Sequence, residues 1–364
     1  MEAMQQTTRY GEELHQLTLL LNSLDLIDPE KNPIPVADAT LEILSNLDKT
    51  LESTVSAVVS LTLESPLADE NHDHDLQKLK AFRCSYLQKR IKLLVGSDIY
   101  HHLFRYLLPL FIRWCAIADI TVEDDLKEGS DLRERIQATI SYCNKTIART
   151  ILWCRRSDWT IIHIAWIGAS VTVNDVLETL TCRTNCTTQS TPAADPNNNE
   201  QTNAKTELIF VAAQSAIPLV KLARILVTKT TEKIWQKRMV LARGTTLELN
   251  SETIRQLHET PTAIDSLNHL SNLLMSLDRP APEISDEDQD SIRYSVQCLP
   301  KDMESTLTIL DSVLIPLLAE IEDDLPEPHL KPFIPDLKQC WDEASKQLLD
   351  VILSFGVEHL ATWV

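Results

Sequence analysis

Apolar residues recur every third or fourth position along almost the whole chain, the spacing that gathers them on one face of an α-helix. Tyr10, Leu14, Leu17, Leu21 and Leu24 share one such face, and Asp28-Pro29 with Pro33 and Pro35 is expected to end that helix. A second helix starts near Val36, with Leu44, Leu51 and Val58 seven apart. A third is expected over residues 76–95, and Gly96-Ser97 should separate it from an apolar segment over 99–120. A charged loop at 123–129 would lead to Ser130 as the N-cap of a helix carrying Leu132, Ile136, Ile140, Cys143 and Ile147. The next turns Trp159, Ile162, Trp166, Ala169 and Val173 inward. Residues 185–205 hold no large apolar side chain and read as a solvated linker that cannot offset its own ordering entropy. Beyond it, helices are expected over 207–238 with a kink at Pro218, over 250–277 with an interruption at Pro261, and around 303–321 and 337–355. No segment alternates as a strand does. The expected fold is all-α, two antiparallel helical bundles joined by a polar linker, with bundles at 1–184 and 206–364 and the linker at 185–205.

Composition removes several functions. The chain has 364 residues and only six glycines, of which the closest two, Gly96 and Gly129, stand 33 apart. Dinucleotide loops, phosphate-cradling loops and nucleophile elbows all need two nearby residues without a Cβ. The formal net charge of −19 opposes a phosphate backbone or an anionic membrane, so no nucleic-acid or membrane partner is expected. The eight cysteines include no Cys-x-x-Cys, and several lie on apolar stripes, as buried thiols of a reducing compartment do. Cys182 and Cys186 could form a local disulfide if oxidised. The N-terminus has neither a basic start nor an unbroken apolar run, and the longest apolar run, residues 161–173, contains His163 and falls short of a bilayer crossing. A cytoplasmic or nuclear location is expected.

Few residues offer chemistry. None of the ten histidines stands in His-x-x-x-His spacing. Asn71-His72-Asp73-His74-Asp75 has metal-ligand chemistry but reads as a solvated loop, and His101-His102 cannot face one site on a helix. No catalytic set, metal or cofactor is assigned. Charge is unevenly spread: residues 283–327 hold 13 acidic and two basic residues, whereas 221–243 hold seven basic and one acidic. Lys229, Lys233 and Lys237 recur every four residues and so line one helical stripe, with Trp235 beside it. This is either a solvated face or a partner-binding stripe, docking the acidic segment in cis or a partner's carboxylates in trans. Trp153, Trp159 and Trp166 flank Arg155-Arg156-Ser157-Asp158, as core packing at a helix corner or as an exposed Trp/Arg anchor.

Two resemblances add to this. Ala-Ala-Gln-Ser-Ala-Ile-Pro-Leu-Val-Lys-Leu-Ala-Arg-Ile-Leu-Val at 212–227 and Thr-Pro-Thr-Ala-Ile-Asp-Ser-Leu at 260–267 make the second half resemble the cyclin-D-interacting protein family. That resemblance implies an acidic, two-bundle helical protein with an interaction role. It departs from the family in having its acidic stretch late in the chain and in lacking a Tyr-Pro-Pro. Leu-Asp-Leu-Ile-Asp at 24–28, Lys-Asn-Pro-Ile-Pro-Val-Ala-Asp-Ala-Thr at 31–40 and Asp-Glu-Asn-His-Asp at 69–73 resemble a multi-copy helical family of rust fungi, some of whose relatives are candidate effectors. The function expected from all of this is a non-enzymatic protein that binds other proteins through helix faces and charged stripes. The alternatives are an effector acting on host proteins, and an enzyme or ligand carrier whose site the sequence does not reveal.

Overall fold

The structure is a computed structural model that describes residues 15–26, 37–63, 69–117, 122–189, 200–241, 248–276, 286–319 and 330–361. Those residues are all-α, with no strand among them. The chain forms two compact units, Met1–Arg156 with Asn250–Glu252, and Ser157–Leu249 with Thr253–Val364. The division falls at Arg156, not in the polar stretch 185–205. Helices on both sides of that stretch pack on each other in the second unit, and its central part, 190–199, lies outside the described residues.

In the first unit, α1 (15–23) ends on Asp25, whose φ of 54° puts it in the left-handed region. The Leu26 N–H then donates to the Leu21 carbonyl at 3.0 Å, the long bond of a Schellman ending. The helix therefore stops before the prolines expected to end it. α2 (Ala37–Leu63) packs on α3, a single rod formed by Ala81–Lys92, Leu93–Leu107 and Leu108–Ile117. α4 (Glu123–Arg155) lies along the middle of that rod. Residues 123–129 open α4 instead of forming a loop, because Glu123, Asp124 and Asp125 in its first turn complement the helix dipole. Ser130 is thus interior to the helix. Gly129 is buried where α4 meets Trp114; a Cβ there would stand 2.2 Å from the indole ring, so only glycine fits without a shift.

Gly96-Ser97 does not break α3. Leu87, Ile91, Val95, Ile99, Leu103, Leu107 and Phe111 are all buried, at a constant step of four. In an ordinary α-helix each such step overshoots a turn by about 40°, so seven positions would spiral off one face. Residues 93–107 instead take the wider winding with i→i+5 bonds, and the Leu108 N–H donates to the Leu103 carbonyl. The next residue is Pro109, whose ring crowds the carbonyl four residues back. The same device appears in the second unit, where Ile315 N–H donates to the Leu310 carbonyl just before Pro316.

The second unit holds α5 (Asp158–Gln189), α6 (Glu200–Leu241), α7 (Ser251–Glu259, whose first two residues belong to the first unit), α8 (Asp265–Ser276), α9 (Asp286–Ile309 running on through Leu310–Leu314 to Ile315–Ala319) and α10 (Leu330–Ala361). A 3₁₀ turn at Thr260–Ile264 interrupts the chain at Pro261, as expected, whereas α6 runs through Pro218. α5 packs on α6, α10 packs on both α6 and α9, and α8 closes against α5, α6 and α9. Trp166 and Trp341 are core residues whose indole N–H groups donate to the Leu257 and Leu299 carbonyls at 3.0 and 3.1 Å.

Candidate functional site

The lysine stripe is turned inward. Lys237 is buried, and its ammonium donates to the carbonyl of Leu317 in α9. Lys229 stands 5.2 Å over the ring of Phe333 in α10, a cation–π contact, and Lys233 is half-buried. Lys229 and Lys237 thus tie α6 to α10 and α9 of its own unit, and at these two positions the stripe is engaged within the unit. Trp235 alone of the four is exposed, at 45%.

The other candidates are also accounted for. Trp153 stacks on Tyr86 at 4.4 Å with Arg83 5.7 Å over its ring, and it is buried, as are Trp159 and Trp166; the exposed Trp/Arg anchor is not present. In the loop 69–75, Asp69 accepts from the Asn71 amide at 3.1 Å and pairs with His72 at 2.9 Å. These partners hold its carboxyl below the ordinary range, the Asn71 amide most strongly. His74 meets Asp75 at 3.4 Å, and Asp73 points the other way, into the unit, fully buried. Among the described residues no three His, Cys, Asp or Glu side chains converge as a metal ion requires. Cys182 is exposed, while the Cys186 side chain lies outside the described residues.

What sequence reasoning missed is the outer face of α5 and α6. His163 of α5 touches Trp235 of α6, with ring centres 5.4 Å apart. Eleven residues further along α5, Asn174 shares a groove of about 540 Å³ with Arg224, eleven residues earlier on α6. The two helices therefore run antiparallel in constant register over about 16 Å. At the groove end lie Asn174, Glu178, Thr181, Cys182, Asn185 and Arg224, open to solvent. Toward the Trp235 end the surface is apolar. Ile164, Ile167 and Val171 follow one another at helical spacing on α5, 37%, 41% and 54% exposed, and no atom lies within 4 Å of where a Cβ on Gly168 would stand. On α6, Ile225, Trp235 and Met239 are exposed at heptad-like steps.

The signal was present in the sequence as hydropathy. Residues Asp158–Asn185 reach a mean hydropathy of 1.4 and Ile209–Lys237 reach 1.6 over 18-residue windows, yet only 39% and 44% of those windows are buried. By length and composition both helices are able to cross a membrane, which the shorter run 161–173 did not suggest; core helices of soluble proteins meet the same measure. In contrast, the stretch 212–227 that resembles cyclin-D-interacting proteins supplies core residues, with Ala212, Ala213, Ala216, Leu219, Val220 and Ala223 all buried.

A family model described as a domain of unknown function (DUF8723) matches residues 14–155, and a second, likewise a domain of unknown function (DUF8721), matches residues 157–350. The two matches meet where the structure divides. Neither description refers to cyclin-D-interacting proteins or to a fungal effector. No curated protein matches the chain.

Proposed function

The chain belongs to the family of DUF8721, whose model spans more than half of it, and from that premise we propose that it is a non-enzymatic protein that seats an amphipathic helix of another protein on the outer face of α5 and α6. The carrying observation is the alignment of Ile164, Ile167 and Val171 with Ile225, Trp235 and Met239 on two antiparallel helices, all exposed. Tryptophan between aliphatic neighbours is the side chain that most often dominates protein–protein binding energy. Exposed Arg224 and Lys221 beside Ile225 suit a partner helix that carries carboxylates next to its apolar stripe.

The test is capture of partners by the full-length chain and by an Ile167→Asp/Trp235→Asp variant. The expected outcome is loss of specific partners by the variant at an unchanged unfolding midpoint, with amide exchange slowed at 164–171 and 225–239 when a captured partner is added back. An identical set captured by the variant would overturn the reading. So would sedimentation of the intact chain with phosphatidylcholine vesicles that the variant fails to show, because the face would then serve lipid.

A further inference from the structure

We propose that Asp73 is a clasp that closes the first unit on a segment 178 residues downstream, and that its opening, without unfolding of the unit, uncovers the first turn of α3. The Asp73 carboxylate is fully buried and accepts three hydrogen bonds. Ala81 N–H donates at 2.8 Å, Ser251 N–H donates at 2.7 Å, and the Ser251 hydroxyl donates as well. The Ser251 oxygen in turn accepts from the Phe82 N–H at 2.8 Å. Two bonds flank this core: the Asn250 side-chain amide donates to the Asn71 carbonyl at 3.0 Å, and the Glu252 N–H to the Glu70 carbonyl at 3.2 Å.

Ala81 and Phe82 are the first residues of α3, and Ser251 and Glu252 are the first of α7, so the donors are orphan amides of two helix starts. The residue before α3, Lys80, supplies no capping side chain of its own. One carboxylate therefore caps two helices and stands at the positive end of both dipoles, which makes its burial tolerable. It also explains the loop 69–75, whose composition suggested a metal site. Residues 250–252 are the stretch of the first unit that comes from beyond Arg156, tied back by the bonds above, and a segment docked in this way opens at a lower cost than the packed core. Behind the first turn of α3, Phe82 lies 6.4 Å from Trp153, and Cys84 is 6% exposed.

Cys84 is the natural reporter, with Cys143, fully buried in the main core of the same unit, as its control. The experiment labels the full chain at neutral pH with N-ethylmaleimide and follows each cysteine by peptide mass spectrometry. Both Asp73→Asn and Ser251→Ala are expected to speed labelling of Cys84 by about tenfold or more, with Cys143, which needs the whole unit to unfold, remaining slower than Cys84 by about tenfold or more. Ser251→Ala is the decisive variant. It keeps the Asp73 charge, which together with burial holds the Cys84 thiol up, so faster labelling there reports opening and not a changed thiol. The double variant should label no faster than Asp73→Asn alone, since both changes break the same set of bonds. Unchanged Cys84 labelling in the two single variants overturns the proposal. Labelling of Cys84 and Cys143 at one common rate in both also overturns it, because the unit would then open only as a whole.

Discussion

The two units handle an excess of apolar residues differently: α3 of the first changes its winding to keep a step of four in the core, whereas α5 and α6 of the second keep a regular winding. Along α3 of the first unit the apolar residues exceed what a regular helix can keep on one side, and the backbone widens over residues 93–107 until every fourth residue reaches the core. Along α5 and α6 the winding stays regular, so the residues beyond the buried stripe emerge at the surface as Ile167, Val171 and Trp235. The lesson is that hydrophobicity alone does not locate a binding face. Even on α3 the wider winding buries one stripe and not every apolar residue, since Leu93, Ile112 and Ile117 stay more than half exposed. Proline assists but does not decide: Pro109 and Pro316 follow widened turns, whereas Pro218 sits in a regular helix.

This contrast can be broken by substitution, since changes in the first unit should cost stability and changes on the second unit's face should cost binding. The largest effect is expected from Asp73→Ala, which strands three buried donors and should lower the stability of the first unit by about 4 kcal/mol in urea unfolding, with the transition of the second unit in place. A shift common to both transitions would show that the loss is not confined to the first unit. Gly129→Ala comes next. Trp114 cannot easily yield, because its indole N–H donates to the Asp125 carbonyl at 2.8 Å, so a new methyl group should cost about 2 kcal/mol; an unchanged midpoint would mean that α4 simply moves away. The Trp235→Asp change named above should move stability by no more than about 0.5 kcal/mol, and a larger loss would make Trp235 a structural residue of the second unit.

The smallest effect is spectroscopic. The Tyr100 hydroxyl on the widened part of α3 donates to Asp48 of α2, and this bond, with burial and the nearby Asp48 and Glu52 charges, pushes the phenol from 10.0 to about 12. Because the fold raises the pKa of an acid, the stabilisation is fully present below pH 10.0 and fades as pH climbs toward about 12. Phenolate absorbance should show one tyrosine titrating late, and Asp48→Asn should return it toward 10.0; a titration curve indifferent to that change would dismiss the contact.

Much of the fold was legible. The 3.6-residue rhythm identified the helices, and Pro261 marked a true interruption. The rhythm misled at α3, where Gly96 looked like punctuation because glycine is a weak helix former, yet the unbroken step of four from Leu87 to Phe111 already asked for a continuous, wider rod. The expected boundary at 185–205 failed for a related reason. Polar composition shows where a chain meets water, not where packing stops, and α5 and α6 are each apolar on more than one side and need each other across that connector. The spacing placed the three lysines in one line and left open whether that line is solvated or engaged. Three lysines four apart share a side of α6, but only the position of Phe333 and of the Leu317 carbonyl decides that this side faces inward.

The sequence by itself determined the helical class, the scarcity of glycine and the excess of apolar residues in α5 and α6, because these follow from local periodicity and composition. The tertiary structure alone decided that the units divide at Arg156, that Asp73 finds Ser251 and that Trp235 remains outside while Lys237 goes in. Such outcomes depend on partners far away along the chain, and no local spacing encodes which distant helix end or carbonyl a side chain will meet.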